Sequence, residues 1–132
     1  MAATILVVDD SPTVLRLTAA PLAEQGYRVL TAVDGEQALE MVAKYRPDLL
    51  ILDIILPKKN GFQVCRELKT NSNTRDIRII LLSSKSNESD RFWGLRQGAD
   101  SYMTKPFDTF ELLASIADLL GQTDVSTAAL ES

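Results

Sequence analysis

Short apolar runs alternate with amphipathic stretches along the chain. Five runs rich in aliphatic residues predict β-strands at Thr4–Val8, Arg28–Ala32, Leu49–Leu52, Arg78–Ser83 and Ser101–Thr104. The first, third and fourth runs are apolar at nearly every position, which is typical of parallel strands covered on both faces. A stretch with helical spacing of apolar residues follows each run. The pattern therefore predicts an α/β fold built from five strand–helix units.

The predicted helices carry recognisable start and stop signals. Ser11 stands before a proline, an arrangement typical of an N-cap followed by the first helical residue. Asp34 and Asp108 each begin a sequence of capping-box form. Gly26 and Gly98 stand where C-terminal caps are expected. These signals bound the helices and support the alternation of strands and helices.

Composition narrows the class of protein. The chain has 132 residues, of which 45% are hydrophobic and 24% are charged, values that fit one globular domain. It contains no histidine and one cysteine, which excludes histidine-based catalysis, histidine-ligated zinc and an internal disulfide. The net charge of −4 argues against direct nucleic-acid binding. No signal peptide and no membrane-spanning run is apparent, so we expect a soluble cytoplasmic protein without membrane insertion.

The domain boundaries follow from the end of the last predicted helix. We expect residues 1–121 to form one domain, since the five strand–helix units end there. Residues 122–132 are mostly small and polar, a composition that predicts a short mobile tail. We therefore expect no further domain after residue 121.

Polar side chains stand at the ends of four predicted strands. Asp9 and Asp10 follow the first strand, Asp53 follows the third, Ser83 ends the fourth and Lys105 follows the fifth. In an open parallel α/β sheet these carboxyl ends form the edge where ligands bind. A single aspartate after a strand is most often a turn residue. Three carboxylates, a hydroxyl and an ammonium at one edge instead indicate a chemical site.

The chemistry of such a site can be inferred from its charges. Carboxylates held close together repel one another unless a cation joins them. Mg²⁺ or Mn²⁺ meets this need, because both prefer oxygen ligands. One carboxylate can then attack phosphorus and form an aspartyl phosphate. The cation, the lysine and the hydroxyl bind the transferring oxygens. Phosphoryl transfer onto an aspartate therefore accounts for every polar residue predicted at this edge.

Four motifs, in this order, carry a family resemblance: LVVDDSPT, DLLILDIILPKKNGF, LLSSK and GADSYMTKPF. With them the chain resembles the response-regulator receiver domains of two-component signalling, the CheY-like superfamily, from about Thr4 to Leu120. It is most similar to the stand-alone, single-domain type. The resemblance implies a doubly wound, five-stranded parallel sheet of order 2-1-3-4-5 with helices on both faces.

The resemblance also implies roles for the acidic residues. Asp53 matches the phosphoacceptor of the family. Asp10 and Asp53 match its direct metal ligands, together with the backbone carbonyl of Ile55. Asp9 matches the residue that reaches the metal ion through water. The implied cofactor is Mg²⁺ or Mn²⁺.

Further residues match the family's phosphate-binding and switching positions. Lys105 matches the phosphate-binding lysine, and its peptide bond to Pro106 is expected to be cis, as in the family. Ser83 and Tyr102 match the switch pair. In this interpretation Ser83 moves towards the phosphoryl group, and the Tyr102 ring turns from an exposed to an inward position to fill the vacated space.

The leading interpretation is a phosphorylation-controlled binding module and not an enzyme. A partner histidine kinase donates the phosphoryl group, and the chain later hydrolyses its own aspartyl phosphate. The downstream protein target is expected at the face formed by the fourth helix, fifth strand and fifth helix. The stretch from Leu82 to Phe107 is similar to stand-alone receivers of chemotaxis-like pathways, including those governing pilus-based motility.

Two alternatives use the same predicted sheet. A Mg²⁺-dependent phosphohydrolase with an aspartyl intermediate usually has a second acid two residues after the nucleophile, where this chain has Ile55. Turnover of small phosphate esters would identify it. A flavodoxin-like flavin carrier needs a loop rich in hydroxyls and glycines after the first strand, where this chain has Asp9 and Asp10. A colourless purified protein would exclude that alternative.

Two side chains outside the predicted site have their own expectations. Cys65 lies on the apolar pattern of the third helix, so we expect a small core residue. Trp93 lies beside the apolar stripe of the fourth helix. The pattern leaves open whether Trp93 is half-packed against a neighbour or exposed for contact with a partner.

Overall fold

The computed structural model describes residues 2–84 and 88–121. Within these ranges five strands alternate with five helices: β1 (Thr4–Val8), α1 (Pro12–Glu24), β2 (Arg28–Ala32), α2 (Gly35–Tyr45), β3 (Leu49–Asp53), α3 (Gly61–Thr70), β4 (Arg78–Ser83), α4 (Glu88–Arg96), β5 (Ser101–Thr104) and α5 (Thr109–Leu119). The predicted alternation is confirmed. The tail predicted for residues 122–132 lies outside the described residues.

The strands form one parallel sheet in the order β2-β1-β3-β4-β5. This is the predicted doubly wound topology of order 2-1-3-4-5. Leu6 of β1 pairs with Leu30 on one side and with Leu50 on the other, and Leu50 pairs in turn with Ile79 of β4. The central strands are thus in register, and all their carboxyl ends reach the same edge.

Each face of the sheet has its own hydrophobic core, because successive strand residues point to opposite sides. Leu6, Leu50 and Ile79 lie in the core beneath α2 and α3, with Val42 and Val64 from those helices. The other core joins the alternate strand residues to α1 and α5; its buried members include Ile5, Val7, Leu49, Ile51, Ile80, Leu15, Leu22, Leu112 and Ile116. Covering on both faces explains why three strands are continuously apolar.

The predicted residues cap the starts of α1, α2 and α5, but the reciprocal bond of a capping box forms at neither Asp34 nor Asp108. The Ser11 hydroxyl accepts from Val14 N at 3.3 Å, and the Asp34 carboxylate accepts from Gln37 N at 2.7 Å. In a capping box the Gln37 side chain would accept from Asp34 N. Here Gln37 Oε1 accepts instead from Val33 N, the residue before the cap. The reciprocal box forms instead at α3, where Asn60 caps the helix.

The remaining expectations concern single residues. Cys65 is fully buried, and burial raises the pKa of its thiol to about 12, so it is an inert core residue as predicted. Trp93 is 54% exposed, so of the two alternatives the structure supports an exposed side chain. The Lys105–Pro106 peptide bond is cis, as expected. Every helix of the described residues is too short or too polar to cross a membrane.

Candidate functional site

The predicted site residues meet at the carboxyl edge of the sheet. Asp9 directly follows β1, Ser83 ends β4 and Lys105 directly follows β5. Asp53 differs slightly from the prediction, because it is the last residue of β3 and not the first residue after it. Its backbone still pairs with Leu82 of β4, which extends the strand by one residue. This pairing fixes the Asp53 backbone within the sheet.

Lys105 joins the carboxylates of two different strands. Its Nζ lies 2.7 Å from Asp9 Oδ2 and 3.3 Å from Asp53 Oδ2. The second oxygen of each carboxylate accepts a backbone N–H: Asp9 Oδ1 from Ser11 at 2.9 Å, and Asp53 Oδ1 from Ile55 at 3.3 Å. These contacts orient both carboxylates before any ligand binds. Asp9 is 3% exposed and Asp53 is 9% exposed, so both lie in a pocket of low solvent access.

Asp10 completes an acidic cluster with Asp9 and Asp53. Each residue offers a carboxylate oxygen, and these oxygens lie within 4.8 Å of one another. Three carboxylates beside the single charge of Lys105 leave two negative charges uncompensated, which is the charge of one divalent cation. Oxygen atoms are the donors that Mg²⁺ prefers. The donor set therefore fits a hard divalent cation, with Asp10 on the exposed side.

Burial and charge act in opposite directions on the ionisation of this cluster. Burial raises the pKa of Asp53, and the negative charge of Asp9 adds to the rise against the pull of Lys105. Burial alone would lower the pKa of Lys105, but its bond to Asp9 and the charge of Asp53 outweigh burial and raise it. Lys105 is thus held as an ammonium. Asp53 is ionised only at a cost that a nearby cation relieves.

The predicted switch pair is joined in this structure. Ser83 is fully buried, Tyr102 is 5% exposed, and a hydrogen bond links their side chains. Burial raises the pKa of the Tyr102 phenol, the bond with Ser83 opposes the rise and the charge of Asp53 adds to it. The backbone N–H of Lys105 donates to the Ser83 carbonyl at 2.7 Å. The ring therefore lies in the inward position, linked to both β4 and the site.

The sequence interpretation missed the glycine that gives this ring its room. Gly94 lies within α4, where a Cβ would be 2.8 Å from Leu81 Cδ1 and 3.2 Å from Tyr102 Cδ2. Glycine in a helix interior costs about 1 kcal/mol relative to alanine. A glycine in the middle of an apolar helical pattern was therefore an available signal of close packing.

A groove runs along β5 between α4 and α5. Arg91 lines it from α4, Tyr102 and Met103 from β5, and Glu111 and Ser115 from α5. Phe107, in the loop before α5, also lines it. Phe92 and Trp93 add exposed aromatic surface to α4, and Phe110 adds more at the start of α5. Tyr102 thus contributes to the floor of a surface with both apolar and charged groups.

Comparison with known proteins places this geometry in a family. The chain is 41% identical over 120 residues to the DNA-binding dual master transcriptional regulator RpaA of Synechocystis, covering 91% of this chain but 50% of RpaA. It is 41% identical over 118 residues to Protein PilH of Pseudomonas aeruginosa, covering 89% of this chain and 98% of PilH. The chain spans about half the length, or less, of most curated relatives that it matches.

Solved structures and a family model give the same assignment. The chemotaxis response regulator CheY4 of Vibrio cholerae is similar with a TM-score of 0.84 and 29% identity, over 90% of this chain and 99% of that one. The acidic cluster of Asp9, Asp10 and Asp53 is typical of the Mg²⁺ site of receiver domains. The family model for the response regulator receiver domain matches residues 5–117. The chain therefore belongs to the response regulator receiver domain family.

Proposed function

We propose that this chain is a single-domain response regulator of the cytoplasm that is phosphorylated on Asp53 by a partner histidine kinase with Mg²⁺. The phosphorylated form changes its protein contacts. The observation that carries the proposal is the convergence of Asp9, Asp10 and Asp53 on one point, with Lys105 bridging two of them. Neither a flavin nor a phosphate ester is needed to explain any of these contacts.

The phosphoryl transfer uses an oxygen of the Asp53 carboxylate as nucleophile. It forms the new O–P bond while the N–P bond to the kinase histidine breaks, and the histidine keeps the electron pair of that bond. Lys105 already lies 3.3 Å from Asp53 Oδ2, so its ammonium is placed to bind an oxygen of the incoming group. Hydrolysis of the resulting acyl phosphate by water later restores the carboxylate.

The cation site is proposed from the oxygen donors at the same edge. Asp10, Asp53 and the backbone carbonyl of Ile55 would hold Mg²⁺ or Mn²⁺ directly, and Asp9 would hold it through water. When bound, the cation supplies positive charge to the transferring phosphoryl oxygens. Such a cation would balance the two uncompensated negative charges of the cluster. It would also offset the rise in the pKa of Asp53 that burial causes.

The switch is proposed to act through Ser83 and Tyr102. A phosphoryl group on Asp53 adds acceptor oxygens that attract the Ser83 hydroxyl. Ser83 lies at the end of β4 and is bonded to Tyr102. A shift of Ser83 therefore changes the position in which the Tyr102 ring is most stable. Phosphorylation acts by changing the balance between two packings of this ring.

The downstream target is proposed to bind the face formed by α4, β5 and α5. The groove along β5 includes Tyr102, so the switch and this surface share a residue. The exposed Phe92, Trp93 and Phe110 supply apolar area of the kind that partners cover. A partner that prefers one position of Tyr102 gains or loses affinity when Asp53 is phosphorylated.

The pathway is proposed to be a chemotaxis-like or motility-like phosphorelay. The similarity to CheY4 supports it, because CheY4 is a chemotaxis response regulator that matches this chain with a TM-score of 0.84 and 29% identity. A phosphotransfer profile against the histidine kinases of the host tests this proposal, and transfer only from kinases of transcriptional systems would contradict it.

Phosphorylation with acetyl phosphate tests the central claim. We expect Asp53→Asn to abolish the acid-labile, hydroxylamine-sensitive label, because an amide cannot attack phosphorus. Asp100→Asn is the matched control, since Asp100 also pairs with a lysine but lies elsewhere in the fold. Label on Asp53→Asn at the wild-type level would place the nucleophile at another residue.

Chemical-shift mapping with beryllofluoride, a stable phosphoryl mimic, tests the switch. We expect shifts around Asp53 and around Tyr102 in the wild type. Ser83→Ala should keep the first and lose most of the second, while Ser84→Ala, the exposed neighbour, should behave as the wild type. Shifts confined to the Asp53 loop in the wild type would contradict the proposed coupling.

A further inference from the structure

The loop between β3 and α3, residues 54–60, rests on the first turn of α2, a helix that supplies none of the candidate ligands. Gly35 is the first residue of α2 and is buried. A Cβ at Gly35 would overlap the carbonyl oxygen of Lys59 and would lie 2.7 Å from the Lys59 carbonyl carbon. Because the overlap is with backbone, a side chain at Gly35 requires the loop itself to move.

Hydrogen bonds and charges hold the loop in the space that Gly35 leaves. The Pro57 carbonyl accepts from Gly35 N at 3.3 Å and from Lys59 N at 2.8 Å. The second bond closes a γ-turn, whose central residue Lys58 has a φ of 68°. The Lys58 ammonium lies 3.7 Å from the Asp34 carboxylate at the start of α2. The start of α2 thus stabilises a backbone conformation that lysine rarely adopts.

The loop is fixed at its other end by a second glycine. Gly61 N donates to the Ile54 carbonyl at 2.8 Å, and a Cβ at Gly61 would lie 2.9 Å from Ile54 Cα and overlap the Asp53 carbonyl oxygen. The side chains of Ile54 and Leu56 are buried, whereas that of Ile55 is 56% exposed. The Ile55 backbone is therefore positioned by its neighbours and not by its own side chain.

We propose that Gly35 is a positioning residue for the cation site. Its missing side chain lets the loop rest against α2, and that contact sets where the Ile55 carbonyl lies relative to the carboxylates. The inference rests on the proposed function, since it takes the Asp53 site to bind Mg²⁺. A displacement at Lys59 reaches Ile55 through three residues, one of which is Pro57 with its fixed φ. The loop has little freedom to absorb such a displacement.

A titration of the unphosphorylated protein with MgCl₂, followed by amide NMR signals, tests the proposal. Residues that orient metal ligands without binding the ion change metal affinity by about 10–100-fold when they are altered. We therefore expect Gly35→Ala to weaken Mg²⁺ binding about tenfold. We also expect the Ile55 amide signal to be displaced before Mg²⁺ is added.

The matched control is Ala38→Gly in the same helix. Ala38 is fully buried, and glycine there weakens α2 without placing an atom against the loop. We expect this variant to bind Mg²⁺ within about twofold of the wild type, a difference under 0.5 kcal/mol. Wild-type affinity in folded Gly35→Ala overturns the proposal. An equal loss in Ala38→Gly also overturns it, because helix stability would then explain the effect.

A second pair of variants applies if Gly35→Ala does not fold. Lys58→Gly lets the γ-turn relax, so that the loop can move away from an added Cβ. We expect the double variant Gly35→Ala, Lys58→Gly to fold and to bind Mg²⁺ about tenfold more weakly than Lys58→Gly alone. Equal affinities of these two proteins overturn the proposal.

Asp53→Asn separates this inference from the proposed function. We expect it to remove most Mg²⁺ binding, because it takes away a direct ligand. Unchanged binding in Asp53→Asn would show that the proposed site is wrong. Loss in Asp53→Asn together with wild-type affinity in Gly35→Ala would leave the site in place and reject only the role of Gly35.

Discussion

Two lysine–aspartate clusters lie at opposite edges of the same sheet. At the carboxyl edge, Lys105 pairs with Asp9 and Asp53 at 2.7 and 3.3 Å. At the amino edge, Lys69 pairs with Asp100 at 3.1 Å, near the starts of β4 and β5. The side chains of both lysines and of the aspartates that they pair with are at most 21% exposed. The same residue types therefore form two clusters of similar burial.

The clusters differ in how completely the protein satisfies them. Asp100 accepts from Ile79 N at 2.8 Å and lies 3.4 Å from Arg78, while Lys69 also donates to the Ile77 carbonyl at 2.6 Å. The amino edge thus has at least as much positive as negative charge. The carboxyl edge has three carboxylates for one lysine. An unbalanced cluster needs a ligand from outside, whereas a balanced cluster fastens α3 to the sheet.

The largest expected effect is on the amino edge. Lys69→Ala removes the nearer and more buried of the two cations beside Asp100 and leaves the Ile77 carbonyl without its donor. Breaking a buried pair of this kind costs about 3 kcal/mol in the free energy of unfolding. Lys59→Ala is the control, because Lys59 pairs with Glu67 at 2.9 Å on the surface. Urea denaturation should show a loss below about 1 kcal/mol for Lys59→Ala. Equal losses in the two variants would contradict a structural role for Lys69.

Mg²⁺ should stabilise the folded protein by binding at the carboxyl edge and not at the amino edge. A cation that binds the folded protein alone adds about 2.7 kcal/mol at a hundredfold excess over its Kd. We expect the melting temperature to rise with Mg²⁺ and to return with EDTA. Asp100→Asn should show the full increase from a lower starting point, and Asp10→Ala should show little. An equal increase in Asp10→Ala would remove Asp10 from the proposed ligands.

The sequence predicts the carboxyl edge better than the amino edge for a physical reason. Asp53 and Lys105 directly end or follow predicted strands, and strand ends share one edge in any parallel sheet. Lys69 instead reaches Asp100 from the end of a helix, 31 residues away in the chain. Such a pair depends on how α3 packs on the sheet. The contacts of Gly35 and Gly94 depend on packing in the same way. A glycine inside a helical pattern signals close packing at Gly94, but the sequence does not indicate which residues it contacts.

Neutralising one aspartate in each cluster should change stability in opposite directions without metal. The folded-state pKa of Asp53 is raised above its ordinary 3.8, so the folded protein holds this proton more tightly than the unfolded chain does. Ionisation of Asp53 therefore reduces stability as the pH rises through and above 3.8. In EDTA at neutral pH, Asp53→Asn should raise the melting temperature by a few degrees.

The matching change at the amino edge is Asp100→Asn, which should lower the melting temperature because Lys69 loses its carboxylate. The gain in melting temperature of Asp53→Asn should vanish at pH values below those at which Asp53 ionises. Melting curves at several pH values therefore test whether the Asp53 charge causes the gain. Lower stability in Asp53→Asn at neutral pH would show that Lys105 stabilises this carboxylate more than burial and Asp9 destabilise it.

The smallest expected change in the free energy of unfolding comes from Arg78, the more exposed of the two cations beside Asp100. Arg78 Nη1 lies 3.4 Å from Asp100 Oδ1, but its side chain is 50% exposed, and exposed ion pairs contribute about 0.2–1 kcal/mol. Arg78→Ala should therefore cost less than about 0.5 kcal/mol while Lys69 is present. In a Lys69→Ala protein Arg78 is the remaining cation beside Asp100, so its removal should cost more. The two changes are then coupled in a double-mutant cycle measured by urea denaturation. Additive losses would mean that Lys69 alone satisfies the charge of Asp100 and that Arg78 takes no part in balancing the cluster.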